Sequence, residues 1–268
     1  YLISEDFYIT VQGNVNLNKK LSVKKLPVKF KTVDGFFDIS NNGLTSLDGC
    51  PKTVTGDFNC SRNSLISLFE GPTEVNDFDC SYNQLKNLSY APKEVKGNFD
   101  CSNNLIDSVK GMPRTVKGYF NCSINKIATL KGGPKYVDAT FDCSQNLIDR
   151  LTGGPVSVGQ DYLCFKNNLT DLDGVADEIG FDLVSDIRLN HLSSTFNEEE
   201  KTWRYKGSEV ISHIYKPIVA LTNVDDISRW LRKHEIKNFT ILKDNSVNVH
   251  GDVKLADKLA NLLKLPLN

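Results

Sequence analysis

One phrase constrains this chain more than any other: Phe-x-Cys-Ser-x-Asn, which returns at a nearly constant spacing between Phe58 and Asn167. Its first full copy is Phe58-Asn59-Cys60-Ser61-Arg62-Asn63, and further copies start at Phe78, Phe99, Phe120 and Phe141. The last has decayed to Tyr162-Leu163-Cys164-Phe165-Lys166-Asn167, and an earlier one, Phe37-Asp38-Ile39-Ser40-Asn41-Asn42, carries Ile in the Cys place. A unit of that length buries little apolar surface alone. Only stacking on its neighbours makes a core, so a fixed short period implies a solenoid.

Each column of the repeat has a physical task. Phe and Cys alternate with polar residues, which places both on the inward side of a short strand. The Ile39 exchange marks the Cys slot as apolar, and a free cysteine packs as a small hydrophobe. The recurrent Asn is expected to stack at a bend, its amide pairing backbone groups that the turn leaves open. Apolar residues follow two and five positions later, as in Leu44 and Leu47 or Ile106 and Val109. A Pro at 51, 72, 92, 113, 134 or 155 then rules out a regular helix on the return path, and a Val stands three residues beyond it. Short parallel strands are therefore expected on a concave side, and extended or polyproline-like backbone on the convex side.

This pattern resembles the leucine-rich-repeat family, L-x-x-L-x-L-x-x-N-x-L, with Phe and Cys in strand leucine positions, over roughly residues 30–185. The F-x-C-S-x-N wording, with G-x-P-x-x-V between copies, is similar to repeats of uncharacterised tailed-bacteriophage proteins. The resemblance implies a leucine-rich-repeat solenoid with a non-helical convex side, and a binding rather than a catalytic role.

The two ends of the chain also match each other. Ile9-Thr10-Val11-Gln12-Gly13-Asn14-Val15-Asn16-Leu17 aligns with Val247-Asn248-Val249-His250-Gly251-Asp252-Val253-Lys254-Leu255. Lys/Leu-rich stretches follow both, closing on Leu26-Pro27 and Leu265-Pro266. The first copy reads as a β-hairpin cap over residues 1–30, with Val15 placed one coil before Phe37. The solenoid is then 31–184, and 185–268 is expected to be a small α+β domain. Its expected elements are a helix across Glu198 to Tyr215, an amphipathic helix after Asn223, and a hairpin of Phe239–Ile241 with Val247–Val249.

Composition excludes some roles. Lys plus Arg number 32 against 33 Asp plus Glu, so no dominant charge directs the chain to nucleic acid or an anionic membrane. No apolar run has the length of a membrane span. Seven cysteines, six of them at one phase of the repeat, do not form a disulfide framework, and a reducing, cytoplasmic setting is expected. The sequence holds no G-x-S-x-G, phosphate-cradling loop, H-E-x-x-H or C-x-x-C. Effector ubiquitin ligases of bacteria have similar Pro-turn repeats but need a nucleophilic Cys in a separate domain, and here no Cys follows Cys164. Neither catalytic residue nor metal nor cofactor is expected.

Function is then expected where architecture leaves a column free. The residues after Phe (Asp38, Asn59, Asp79, Asp100, Asn121, Asp142) and the recurrent Ser vary too little, and read as structural ladders rather than a calcium stack. Two outward columns vary, and they supply Arg62, Tyr82, Tyr119 and Ile124, with Phe165 and Lys166 extending the strip. These are residue types that populate interface cores. The expectation is a non-enzymatic scaffold that holds a protein partner on its concave face; the bacteriophage resemblance implies a host or phage protein of the infected bacterial cytosol, with inhibition of a host factor as one outcome. A structural or virion component, recognising glycans, is the alternative.

Overall fold

A computed structural model describes residues 2–3, 7–189, 192–210, 239–241 and 247–249. The chain divides into two compact units, Tyr1–Gly207 and Ser208–Asn268. The first is a parallel β-solenoid with almost no helix.

Its main wall is an eleven-stranded sheet. Two-residue strands Val15–Asn16, Phe37–Asp38, Phe58–Asn59, Phe78–Asp79 and onward stack in parallel, each Phe beside the next coil's Phe. Backbone pairing runs past the strands themselves. Phe58, Cys60 and Arg62 donate N–H to the carbonyls of Asp77, Asp79 and Ser81 at 2.8, 2.8 and 3.0 Å. Phe and Cys face inward and are fully buried, whereas the residue between them stays half-buried on the outer face. The Phe rings form a continuous column from Phe37 to Phe141, with centroids 5.2 to 5.8 Å apart. Phe30 and Tyr162 close it edge-on at 5.0 Å each.

The return path is non-helical and extended, one of the two backbones expected, and its short strands pair into a second parallel wall. Thr53–Val54, Glu74–Val75 and Glu94–Val95 pair in a six-stranded sheet, and Thr115–Val116 through Glu178–Ile179 in a four-stranded one. The buried Val column sits on these strands, three residues after each Pro, beyond the reach of the proline constraint.

The N-terminal segment is a cap in part and a coil in part. Leu2–Ile3 pairs antiparallel with Tyr8–Gln12, a true hairpin. The segment Ile9 to Leu17, read from sequence as hairpin-like, instead sends Tyr8–Gln12 to one wall and Val15–Asn16 to the other. Gly13 turns this corner at φ 121°, a conformation that favours glycine, and Val15 takes the register opposite Phe37 that its spacing implied.

At the far end the helix expected from Glu198 is overturned. Ser194–Asn197 and Thr202–Lys206 form an antiparallel hairpin, and the second strand pairs antiparallel with Asp182–Ser185 on the main wall. Thr202 and Tyr205 are buried and Arg204 reaches Asp182 at 3.0 Å, so packing at the open solenoid end overrides the helical propensity of Glu198-Glu199-Glu200. Helical backbone begins only at residue 207, and the expected helix beyond residue 210 lies outside the described residues. The hairpin belongs to the first unit, which runs to Gly207. In the second unit Phe239–Ile241 pairs antiparallel with Val247–Val249, as its spacing implied. The helix expected after Asn223 lies outside the described residues.

Candidate functional site

The Asn ladder shows which polar side chains are already committed. Asn104 Nδ2 donates to the carbonyls of Cys80, Cys101 and Ser102 at 3.1 Å each, and its Oδ1 accepts the Leu85 N–H at 3.0 Å. Asn83 and Asn146 repeat the same set one and two coils away. Each amide thus staples its own coil to the preceding one.

The outer column after Phe is committed too. Oδ1 of Asn59, Asp79 and Asn121 accepts both the N–H and the hydroxyl of the Ser two residues on, at 2.9–3.0 and 2.7 Å. Asp and Asn serve equally because only an acceptor is needed there. Among the described residues no cluster of His, Cys, Asp or Glu has metal-site geometry. The thiols face away from this surface, and burial raises them well above the ordinary range, as for Cys101 and Cys122. In that state they are poor nucleophiles.

Two of these carboxylates carry a cost. Burial raises Asp142 above the usual carboxylate range, opposed by hydrogen bonds from Ser144 and reinforced by Glu200; Asp100 is raised likewise. A carboxyl raised in the folded state is protonated more readily there than in the unfolded chain. Its contribution to stability is therefore full below the unfolded value, and it is lost as pH rises through the folded one. Asp142→Asn keeps the Oδ1 acceptor and removes the charge. It is expected to raise the melting temperature at pH 7 by about 2–4 °C, the shift that about 1 kcal/mol produces at this size. Asp100 is the poorer choice, since its Oδ2 accepts the Asn121 amide at 3.2 Å. A melting-temperature gain equal at pH 4 and pH 7 would rule out the charge as the cause.

The six sequence candidates divide in three ways. Arg62, Tyr82, Ile124 and Lys166 occupy one column, just before the ladder Asn, and all are exposed on the main wall. The Arg62 guanidinium stands 4.0 Å from the Tyr82 ring centroid, a close cation–π contact across adjacent coils. Tyr119 lies in a second column, at the other end of the strand from Ile124, over an open groove lined by Asn98, Asn121, Thr140, Asp142 and Gln160. Burial and the nearby Asp100, Asp79 and Asp77 push its hydroxyl up to about 12. Phe165 is the exception: only 8% exposed, it fills the slot that Ser holds in other coils, with Lys166 Nζ 5.7 Å from its ring. It supports Lys166 and offers little surface of its own.

The Arg62 column has a property that sequence spacing does not reveal. Asn41, Arg62, Tyr82, Asn103, Ile124, Gln145 and Lys166 all lie at φ 52–58°. Left-handed backbone suits Asn and Gly. For other residues it costs roughly 1–2 kcal/mol, and a β-branched residue such as Ile is a genuine outlier there. The architecture thus requires this conformation in every coil, and Asn41 and Asn103 are the unstrained solutions.

A second strained set escapes the sequence reading. The turn before each Pro uses left-handed backbone, held by glycine at Gly49, Gly111, Gly132 and Gly153, and at Gly174 in the last coil, which lacks the Pro, but by Glu70 at φ 69° and Tyr90 at φ 68° in two adjacent coils. Tyr90 packs edge-on against Phe69 at 5.2 Å; both are more than half exposed, as is Ile66. The only signal in the sequence is a pair of gaps in the glycine column.

The chain matches no protein-family model, no curated protein and no solved structure.

Proposed function

We propose that the chain is a non-enzymatic, leucine-rich-repeat-type scaffold that holds a protein partner on the outer face of its main wall. The observation that carries this reading is the placement of Tyr82 and Ile124, 45% and 41% exposed, at left-handed positions where Asn would cost nothing. Strain retained at an exposed side chain stabilises nothing in the fold. It is the mark of a residue kept for contact. Arg62 stacked on Tyr82, with Tyr119 in the neighbouring column, adds the side chains that dominate interface energies.

The resemblance to repeats of tailed-bacteriophage proteins supports a host protein of the infected bacterial cytosol as the partner, and inhibition of that protein as the outcome. The combined change Arg62→Ala, Tyr82→Ala and Tyr119→Ala is expected to abolish affinity capture of the partner from bacterial lysate while the melting temperature stays within a few degrees. Capture that survives the triple change sinks the reading.

Ile124→Asn separates strain from contact. It is expected to raise stability by about 1 kcal/mol through relief of the backbone and to weaken binding by on the order of tenfold or more. Calorimetric melting and titration of the purified pair measure both. If Ile124 were ordinary surface, the first effect would appear without the second.

A further inference from the structure

The hairpin in the second unit repeats the hairpin that opens the solenoid, position for position. In the first unit Leu2 pairs with Thr10 and Ile3 with Ile9; in the second, Thr240 pairs with Asn248 and Ile241 with Val247. All four positions are displaced from their counterparts by one and the same offset along the chain, so strand order, direction and register coincide. The span between the inner partners, Ile3 to Ile9 and Ile241 to Val247, is equal in both. Register in an antiparallel pair is set by the side-chain pattern and the turn, so coincidence of both is a specific likeness.

In the first copy the second strand has a further task. Tyr8–Gln12 holds Leu2–Ile3 on one edge and, on the other, the parallel strand Lys29–Asp34, which starts the stack. The chain then turns at Gly13, whose N–H donates to the Asp34 carbonyl at 2.8 Å. Asn14 Oδ1 accepts the Phe36 N–H at 3.0 Å, and Val15 and Leu17 donate to the carbonyls of Phe36 and Asp38 at 2.8 and 2.7 Å. Each of these parts has its counterpart in the second sequence: Gly251 at the corner, Asp252 with the same acceptor oxygen, then Val253 and Leu255. Phe7, at φ 61°, is matched by Asn245, a residue type suited to that backbone. Those five counterparts lie outside the described residues, and the correspondence there is one of sequence.

The second copy differs in what it holds. Among the described residues Val247–Val249 pairs with Phe239–Ile241 alone, in a two-stranded sheet. An isolated two-stranded hairpin is marginal in water and gains stability from a third strand. We infer that the hairpin of Phe239–Ile241 and Val247–Val249 is a second solenoid-opening cap, whose outer edge takes the parallel first strand of a repeat coil of this chain's own kind, Lys-Phe-Lys-Thr-Val-Asp in type. Main-chain hydrogen bonds give such an edge its affinity, and the inward Phe and Val of the incoming strand give it its register.

The test is a transplant in the full chain. Residues 1–27 are replaced by a copy of residues 239–266, which joins Leu265-Pro266 to Val28 as Leu26-Pro27 is joined. A control carries the same transplanted segment in scrambled order. Amide exchange at Lys29–Asp34, read by mass spectrometry, is expected to stay as slow as in the native protein with the transplant and to quicken on the order of tenfold or more with the scrambled segment. Gly251→Val within the transplant should remove the protection, as Gly13→Val is expected to do in the native chain, where Gly13 stands at φ 121°. Exchange as fast in the transplant as in the scrambled control overturns the inference. So does a protected strand in the scrambled control, because Lys29–Asp34 would then need no cap.

Discussion

Asn104→Ala is expected to cost about 3–5 kcal/mol, a large fraction of the stability of an ordinary domain. The side chain is buried and makes four hydrogen bonds, three donated to the carbonyls of Cys80, Cys101 and Ser102 and one accepted from the Leu85 N–H. Alanine leaves the Leu85 N–H without its partner in a dry interior, at about 1–3 kcal/mol, and the three lost donations add about 0.5–1.5 kcal/mol each. The carbonyls of Cys80, Cys101 and Ser102 each keep one donor, from Asn83 Nδ2, Asn125 Nδ2 and the Tyr82 N–H. The loss should be local, with fast amide exchange concentrated in the coils that hold Leu85 and Asn104, because stability in a stack is a sum over neighbours. Asn104→Asp sharpens the point. It conserves size and the acceptor for Leu85, but turns a carboxylate oxygen toward the carbonyls of Cys80 and Cys101. Aspartate should therefore be at least as damaging as alanine, and an Asn104→Asp protein of native stability would refute this role for the amide.

Phe99→Ala should be as severe, at about 3–5 kcal/mol, for a different reason. Its ring is wholly buried between Phe78 at 5.2 Å and Phe120 at 5.6 Å, so truncation leaves a cavity inside the column. The hydrogen-bonded strands on either side limit how far the coils can collapse into it. Phe99→Leu keeps most of the volume and is expected to cost under about 1.5 kcal/mol. Chemical denaturation of the three proteins measures the series. Equal losses for Ala and Leu would mean that ring-to-ring contact, rather than filled volume, holds the column together.

These two ladders separate what is legible in the sequence from what is not. The inward columns can be read directly, because a side chain repeated at one phase of a fixed period must face its own copies in neighbouring coils. Phe, Cys, Asn and Val stand where that logic puts them, and Val15 stands in register with Phe37. The hairpin Phe239–Ile241 with Val247–Val249 is likewise visible, since alternation and a polar turn are local signals. Ser194–Lys206 is not. Its strands exist because the open end of the main wall offers unpaired backbone at Asp182–Ser185, and no local pattern carries that information.

The site shows the same division. Variation among coils marks Arg62, Tyr82, Tyr119 and Ile124 as free of the core, and all four are exposed. Phe165 varies too, yet it is buried, because a change of residue can also follow a change of packing where the stack ends. The repeat does not show that the Arg62–Lys166 column is left-handed throughout, or that Glu70 and Tyr90 share that strain at the Pro turn. Backbone dihedrals follow from how a bend is closed between coils, and the residues that tolerate the bend include several that do not favour it. Periodicity by itself determined the solenoid, its inward columns and the places where coils differ. Only the tertiary structure decided which of those differences are exposed, which are strained, and how each end of the stack is closed, because these depend on backbone groups that a neighbouring coil either pairs or leaves open.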